Sequence, residues 1–162
     1  MGDKRRFDLF AALVARNFNP SHYATVADIA SGKGKLQYAL RGRGYHRVVS
    51  FDKRKKHNIR PSGYNFQHRY FSESVKENFS LLVGMHPDEA TDVIIVEAAK
   101  RGVPFVVCPC CVKPSALPFW GPHKYNAWMK HLRLLADGLN FMTAEAQLKM
   151  SGRNVCLIGR PQ

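Results

Sequence analysis

Residues 25–54 read TVADIASGKGKLQYALRGRGYHRVVSFDKR, and the order of residue types within them decides the fold. Thr25 to Ala30 is an apolar, β-rich run, followed by a turn with glycines at 32 and 34. Lys35 to about Arg41 has helical character, and Gly42 and Gly44 stop it. Arg47 to Phe51 is a second apolar strand, ending on Asp52. Strand, glycine turn, helix, strand and acid form one unit of an open α/β sheet. Such a unit places a nucleotide-like ligand outside the carboxyl end of its first strand, with ribose hydroxyls meeting an acid about 20 residues further on.

Two departures from the dinucleotide fingerprint narrow the ligand. Gln37 stands where a third glycine is expected, and Asp28 puts a carboxylate at the end of the first strand. A carboxylate repels a pyrophosphate but attracts an ammonium and a sulfonium. The helix start beyond Gly34 offers backbone N–H groups to a ligand carboxylate. Cation at Asp28, anion at the helix start and ribose at Asp52 describe S-adenosylmethionine better than NAD. The pattern Asp28-x-x-x-Gly32-x-Gly34-x-Leu36, with Asp52 closing the next strand, resembles the cofactor motifs of the class I S-adenosylmethionine-dependent methyltransferases. The resemblance implies a cofactor set of Asp28, Ala30, Gly32, Gly34, Asp52 and Lys53. Arg69 and Tyr70, after the third strand, are placed beside the adenine by position alone.

The rest of the chain supplies the rest of that fold. Asp3 is a candidate N-cap for a helix to about Asn17. Tyr64 to Tyr70 alternates as a third strand, Ser72 to Asn78 has short helical character, and Ser80 to Met85 is a continuous apolar run suited to a buried strand. Pro87, Asp88 and Glu89 open a helix that Gly102 ends. Val103 to Cys108 is a fifth strand, about Lys124 to Leu135 a helix, and Met142 to Leu148 with Val155 to Gly159 a final hairpin. The expectation is one minimal Rossmann-like methyltransferase domain over residues 1–162: a seven-stranded mixed α/β sheet with a C-terminal antiparallel hairpin and helices on both faces.

Composition bounds the setting. No apolar run approaches the roughly 20 residues of a membrane span, and the start, MGDKRRF, lacks the apolar core of a signal peptide. The four cysteines, Cys108, Cys110, Cys111 and Cys156, make a poor disulfide framework, and neighbours so close make a poor tetrahedral zinc site. A reducing cytoplasm and no metal are therefore expected. The formal net charge of +13 points to polyanionic partners. Arg41, Arg43, Arg47, Lys53, Arg54, Lys55, Lys56 and Arg60 crowd into twenty residues, with Asp52 alone against them. Following the ribose-binding acid, this run is expected to border the cofactor site and to hold the phosphates of RNA.

The methyl acceptor is expected near the ends of strands four and five. His86, Ala90-Thr91-Asp92 and Cys110-Cys111 resemble the tRNA ribose 2′-O-methyltransferase family with a Cys-Cys pair after strand five, although that family's Cys-Gly after the histidine is missing. The resemblance implies methylation of tRNA or rRNA at a ribose oxygen. His86, also beside the cofactor, is then the candidate base, with Asp88 as its orienting partner. Cys110 or Cys111 as a nucleophile on an RNA pyrimidine is the alternative chemistry, requiring an electropositive setting. Trp120 and Lys124 join Arg43, Arg54, Lys55, Lys56 and Arg60 as expected RNA contacts, rings stacking on unstacked bases. A chain this small is expected to extend its footprint as a homodimer. A small-molecule or protein methyltransferase, or a nucleic-acid-binding module without catalysis, are the readings from other classes.

Overall fold

In the computed structural model, residues 3–54, 65–112 and 125–162 are described. Seven strands form one sheet in the order β3-β2-β1-β4-β5-β7-β6. The parallel strands are β1 (Thr25–Ile29), β2 (Arg47–Phe51), β3 (Asn65–Gln67), β4 (Leu81–Met85) and β5 (Phe105–Cys108). Strand β7 (Val155–Pro161) runs antiparallel to β5 and to β6 (Phe141–Gln147), as the closing hairpin requires. The chain leaves β1 for β2 on one side and later places β4 on the other. The order therefore reverses at β1, and in open α/β sheets a crevice opens beyond the carboxyl ends at that point.

Among the described residues, four α-helices cover the two faces. On one face α1 (Arg6–Asn17) and α2 (Lys35–Arg41) bury Phe10, Val14, Leu36 and Leu40 against Val26, Val48, Leu81 and Val83. On the other, α3 (Thr91–Arg101) and α4 (Tyr125–Gly138) bury Ile94, Ile95, Trp128 and Leu132 against Ala27, Val49, Leu82 and Phe105. Strand residues divide alternately between the two layers, as pleating demands. The central strands are apolar throughout because both their faces are covered.

Three local expectations are corrected. Helix α1 begins at Arg6, with Arg5 as its N-cap residue. Asp3 accepts the Arg5 backbone N–H at 2.9 Å, two residues too early to cap the helix. Residues 72–78 form turns rather than a helix, and the Arg101 guanidinium ties them together by donating to the carbonyls of Ser72, Val75 and Glu77. Strand β3 is three residues long, shorter than the alternation from Tyr64 to Tyr70 suggested.

The fold also divides the basic run. Helix α2 descends from the carboxyl end of β1 to the amino end of β2, so Arg41, Arg43 and Arg47 lie at the opposite edge of the sheet from the crevice. Lys53 and Arg54 follow the carboxyl end of β2 and stay beside it. Sequence proximity had joined charges that the length of the five-residue strand β2 separates. Lys55, Lys56, Arg60, Trp120 and Lys124 lie outside the described residues.

Candidate active site

Beyond the carboxyl ends of β1, β2 and β4 lies a cleft of about 610 Å³. Ala30, Asp52, Lys53, Arg54, Arg69, Tyr70 and Asp88, all nominated by the sequence, line it. Glu89, Ser72 and Val93 line it as well and were not foreseen. Backbone strain concentrates at its edge. Ala30, His86 and Asp88 are three of the four non-glycine residues with positive φ among the described residues, at 55°, 57° and 50°. Such conformations persist where surrounding structure over-determines them, commonly at binding and catalytic sites.

Asp28, Gly32 and Gly34 are not among the lining residues of this cleft; Asp28 is 1% exposed on the α2 side of the sheet. Its Oδ2 accepts the Ser50 hydroxyl at 2.9 Å, while its Oδ1 has no partner among the described residues. The parallel register sets Ser50 opposite Asp28. Gln37 Nε2 in turn reaches Ser50 Oγ at 3.1 Å, the Val48 carbonyl at 3.1 Å and the Asn65 carbonyl at 2.9 Å. Gln37 thus ties α2 to β2 and β3 and orients the hydroxyl that holds Asp28. Only the lone hydroxyl in an otherwise apolar strand hinted at this chain in the sequence. Burial raises the Asp28 carboxyl to about 7, against the Ser50 hydrogen bond and with help from the Asp52 charge.

The glycine turn closes over this acid. Gly34 caps α2 at φ 71°, where a Cβ would also come within 3.4 Å of the Phe66 ring. Helix α2 is only seven residues long, so its dipole is weak. Gly32 donates its N–H to Asp52 Oδ2 at 2.8 Å. Asp52 further accepts the Arg54 backbone N–H at 2.8 Å and two guanidinium bonds at 3.0 and 2.8 Å. Burial pushes the Asp52 carboxyl up, but these bonds outweigh it and hold the group below its ordinary value. The acid assigned to ribose hydroxyls is thus already engaged by Arg54. Lys53 Nζ pairs with Glu89 at 3.2 Å and lies 4.8 Å from the ring centre of Tyr70, which is 67% exposed. Arg69 is braced by Gln67 at 2.7 Å and Glu77 at 3.5 Å.

His86 turns away from the cleft. Its ring bonds the Arg153 carbonyl in the β6–β7 connection at 3.0 Å, and its backbone N–H bonds the Cys108 carbonyl at 2.9 Å. Burial pulls the imidazole down, but the Cys108 thiol and the Arg153 carbonyl bring it above its ordinary value. Asp88 does not orient His86. Its Oδ1 instead accepts both Cys110 Sγ at 3.2 Å and Cys111 Sγ at 3.1 Å, and the sulfurs are 3.3 Å apart. Burial, the Cys111 thiol and the Asp88 carboxylate push the Cys110 thiol well up. That is the reverse of the electropositive setting a cysteine nucleophile needs.

The residues fit a cationic, ribose-bearing ligand on two observations. Asp28 Oδ1 and Ser31 Oγ, both buried at the glycine turn, have no partners among the described residues, which a polar ligand at the turn would supply. Asp52 lines the adjoining cleft as a carboxylate held in its charged form.

No protein-family model matches the sequence, and no curated protein matches it significantly. Solved structures do match in shape. The ribosomal protein L11 methylase of Lactobacillus delbrueckii subsp. bulgaricus is 16% identical, with a TM-score of 0.70 over 100% of this chain and 81% of that one. DesVI of Streptomyces venezuelae is 11% identical, with a TM-score of 0.68 over 98% of this chain and 93% of that one. Human N-acetylserotonin methyltransferase, solved in complex with SAM, is 15% identical, with a TM-score of 0.63 over 96% of this chain and 51% of that one. With its strand order and closing hairpin, this chain has the Rossmann-like fold of the class I methyltransferases.

Proposed function

We propose that this protein is an enzyme that methylates RNA, with S-adenosylmethionine as donor and a ribose oxygen of tRNA or rRNA as acceptor. The observation that carries the cofactor half is Asp28, a buried carboxylate with an unpartnered oxygen under the glycine turn, one strand from Asp52. S-adenosylmethionine supplies, when bound, a methyl group on an electrophilic sulfonium. Asp28 and the Gly32–Gly34 turn would hold its amino-acid end, and Asp52 its ribose once Arg54 yields. Lys53 and Tyr70 give the cleft a cation and an exposed ring for stacking. We assign Asp88, which lines the cleft, to orient the acceptor hydroxyl, and His86 to brace the strained loop that carries Asp88.

The RNA half is supported by the +13 charge and by Lys53, Arg54 and Arg69 at the cleft. A cysteine-nucleophile route is disfavoured by the carboxylate against both thiols. Calorimetry of S-adenosylmethionine binding to the wild type, Asp28→Ala and Asp52→Ala tests the cofactor; equal affinity in all three overturns the assignment. Labelled methyl transfer into bulk RNA, followed by nucleoside mass spectrometry, tests the substrate. Binding of cofactor with no label in RNA moves the reading to a small-molecule or protein substrate.

A further inference from the structure

We propose that Asp88, Cys110 and Cys111 form a binding site for a thiophilic divalent cation, zinc by its chemistry, in the wall of the cleft. One carboxylate oxygen and two thiol sulfurs from separate strand ends lie within 3.1–3.3 Å of one another, near enough to share one ion. Adjacent cysteines on a strand would face opposite ways. These two follow the end of β5 in a bend, so both sulfurs turn to the same side. The parallel pairing of Met85 with Cys108 brings the loop after β4 against the loop after β5, closing 22 residues of sequence between Asp88 and Cys110. Asp88 is fixed there by its positive φ and by the Thr91 hydroxyl, which bonds its carbonyl at 2.9 Å.

The donor set selects the ion. Two sulfurs and one oxygen suit zinc and its soft neighbours, whereas magnesium and calcium take oxygen alone. Tetrahedral zinc, at about 2.3 Å from sulfur and about 2.0–2.2 Å from oxygen, sets its donors about 3.5–3.8 Å apart. The three atoms therefore need to spread by a few tenths of an ångström, within reach of small χ1 adjustments. Charge also balances. The cluster now carries two S–H protons and one carboxylate, a net charge of −1. Exchange of both protons for one divalent ion gives two thiolates, a carboxylate and the ion, again −1, with two protons released to solvent. The carboxylate that disfavours a bare thiolate is thus an asset once a cation sits between the three groups. Three protein ligands is also the number found where zinc keeps a position for water or substrate, and Asp88 reaches the cleft itself.

The test is titration of the full-length, reduced protein with zinc or cobalt(II), with elemental analysis after gel filtration. One equivalent of zinc per chain, about two protons released per ion at neutral pH, and a thiolate-to-cobalt charge-transfer band are expected. Cys110→Ala and Cys111→Ala should each weaken binding by more than the 10–100-fold typical of losing an outer-shell partner. Cys156→Ala, at a cysteine outside the cluster, should leave it unchanged. Failure to bind one equivalent, or one equivalent retained in the Cys110→Ala/Cys111→Ala variant, overturns the proposal. Should those variants fail to fold, the wild-type readouts decide: a cobalt complex without charge-transfer absorption, or binding without proton release, refutes thiolate ligation. None of these measurements involves S-adenosylmethionine, so the site stands or falls apart from the methyl-transfer reading.

Discussion

At the scale of single residues, Asp28 is an acid that the fold holds at a cost. Its folded value of about 7 lies above the 3.8 of the unfolded chain. Between those values the folded state keeps a proton that the unfolded state has lost, so this group's contribution to stability falls as pH rises from about 4 to about 7 and is lowest above it. The interval corresponds to about 4 kcal/mol at most. Asp28→Asn keeps an acceptor for Ser50 and removes the charge. Denaturation at pH 4 and pH 8 should show the variant near wild type at the lower pH and stabilised by about 1–3 kcal/mol at the higher. The same substitution should weaken S-adenosylmethionine, and wild-type affinity should rise with pH through about 7 as Asp28 ionises. Arg54 presents the converse case. It engages a carboxylate that is 4% exposed, while its own side chain is about half in solvent. Arg54→Ala should lower the melting temperature yet tighten cofactor binding by up to about tenfold, since charged hydrogen bonds of this kind are worth about 1.5–3 kcal/mol before solvent screening. Looser binding in that variant would mean that Arg54 itself holds the ligand.

At the scale of elements, the link between β4 and α3 is the tightest joint of the site. A Cβ on Gly84 would meet Ile94 Cδ1 at 2.5 Å and Pro87 Cβ at 3.0 Å. Ile94 is fully buried and Pro87 opens the strained turn, so neither can easily give way. Gly84→Ala should destabilise the fold by about 1–3 kcal/mol in chemical denaturation. It should also disturb the His86–Asp88 turn, and with it cofactor affinity, more than an equal loss of stability elsewhere. A variant as stable as wild type would show that the turn can move. Helix α2 shows how an element reassigns a residue. Gln37 departs from the glycine of the dinucleotide fingerprint, and the structure gives the departure a use: its amide binds three acceptors on β2 and β3.

At the scale of the molecule, the distribution of charge matters more than its total. Lys53 borders the cleft, whereas Arg43 lies at the amino ends of the strands. If RNA docks over the cleft, Lys53→Glu should weaken binding and reduce the dependence of log K on log salt by about 0.7–0.9 for each phosphate no longer neutralised. Arg43→Glu should do so much less; fluorescence anisotropy across a salt series measures both. Equal effects would place the RNA over both edges or bound by charge alone. Among the described residues no helix is long and apolar enough to cross a membrane.

The sequence by itself determined the alternation of strands and helices, the glycine turn and the acid pair, because these rest on local backbone conformation and on patterns of burial that neighbouring residues express. It overreached where a tertiary partner organises the segment instead, as where Arg101 gathers the carbonyls of Ser72, Val75 and Glu77 into turns. Only the three-dimensional arrangement decided which side chains share a space. The pairing of β4 with β5 set Asp88 against Cys110 and Cys111, and the β6–β7 hairpin drew His86 from the cleft. Contacts across 22 or 67 residues of chain arise from strand register and helix packing, which no local pattern encodes.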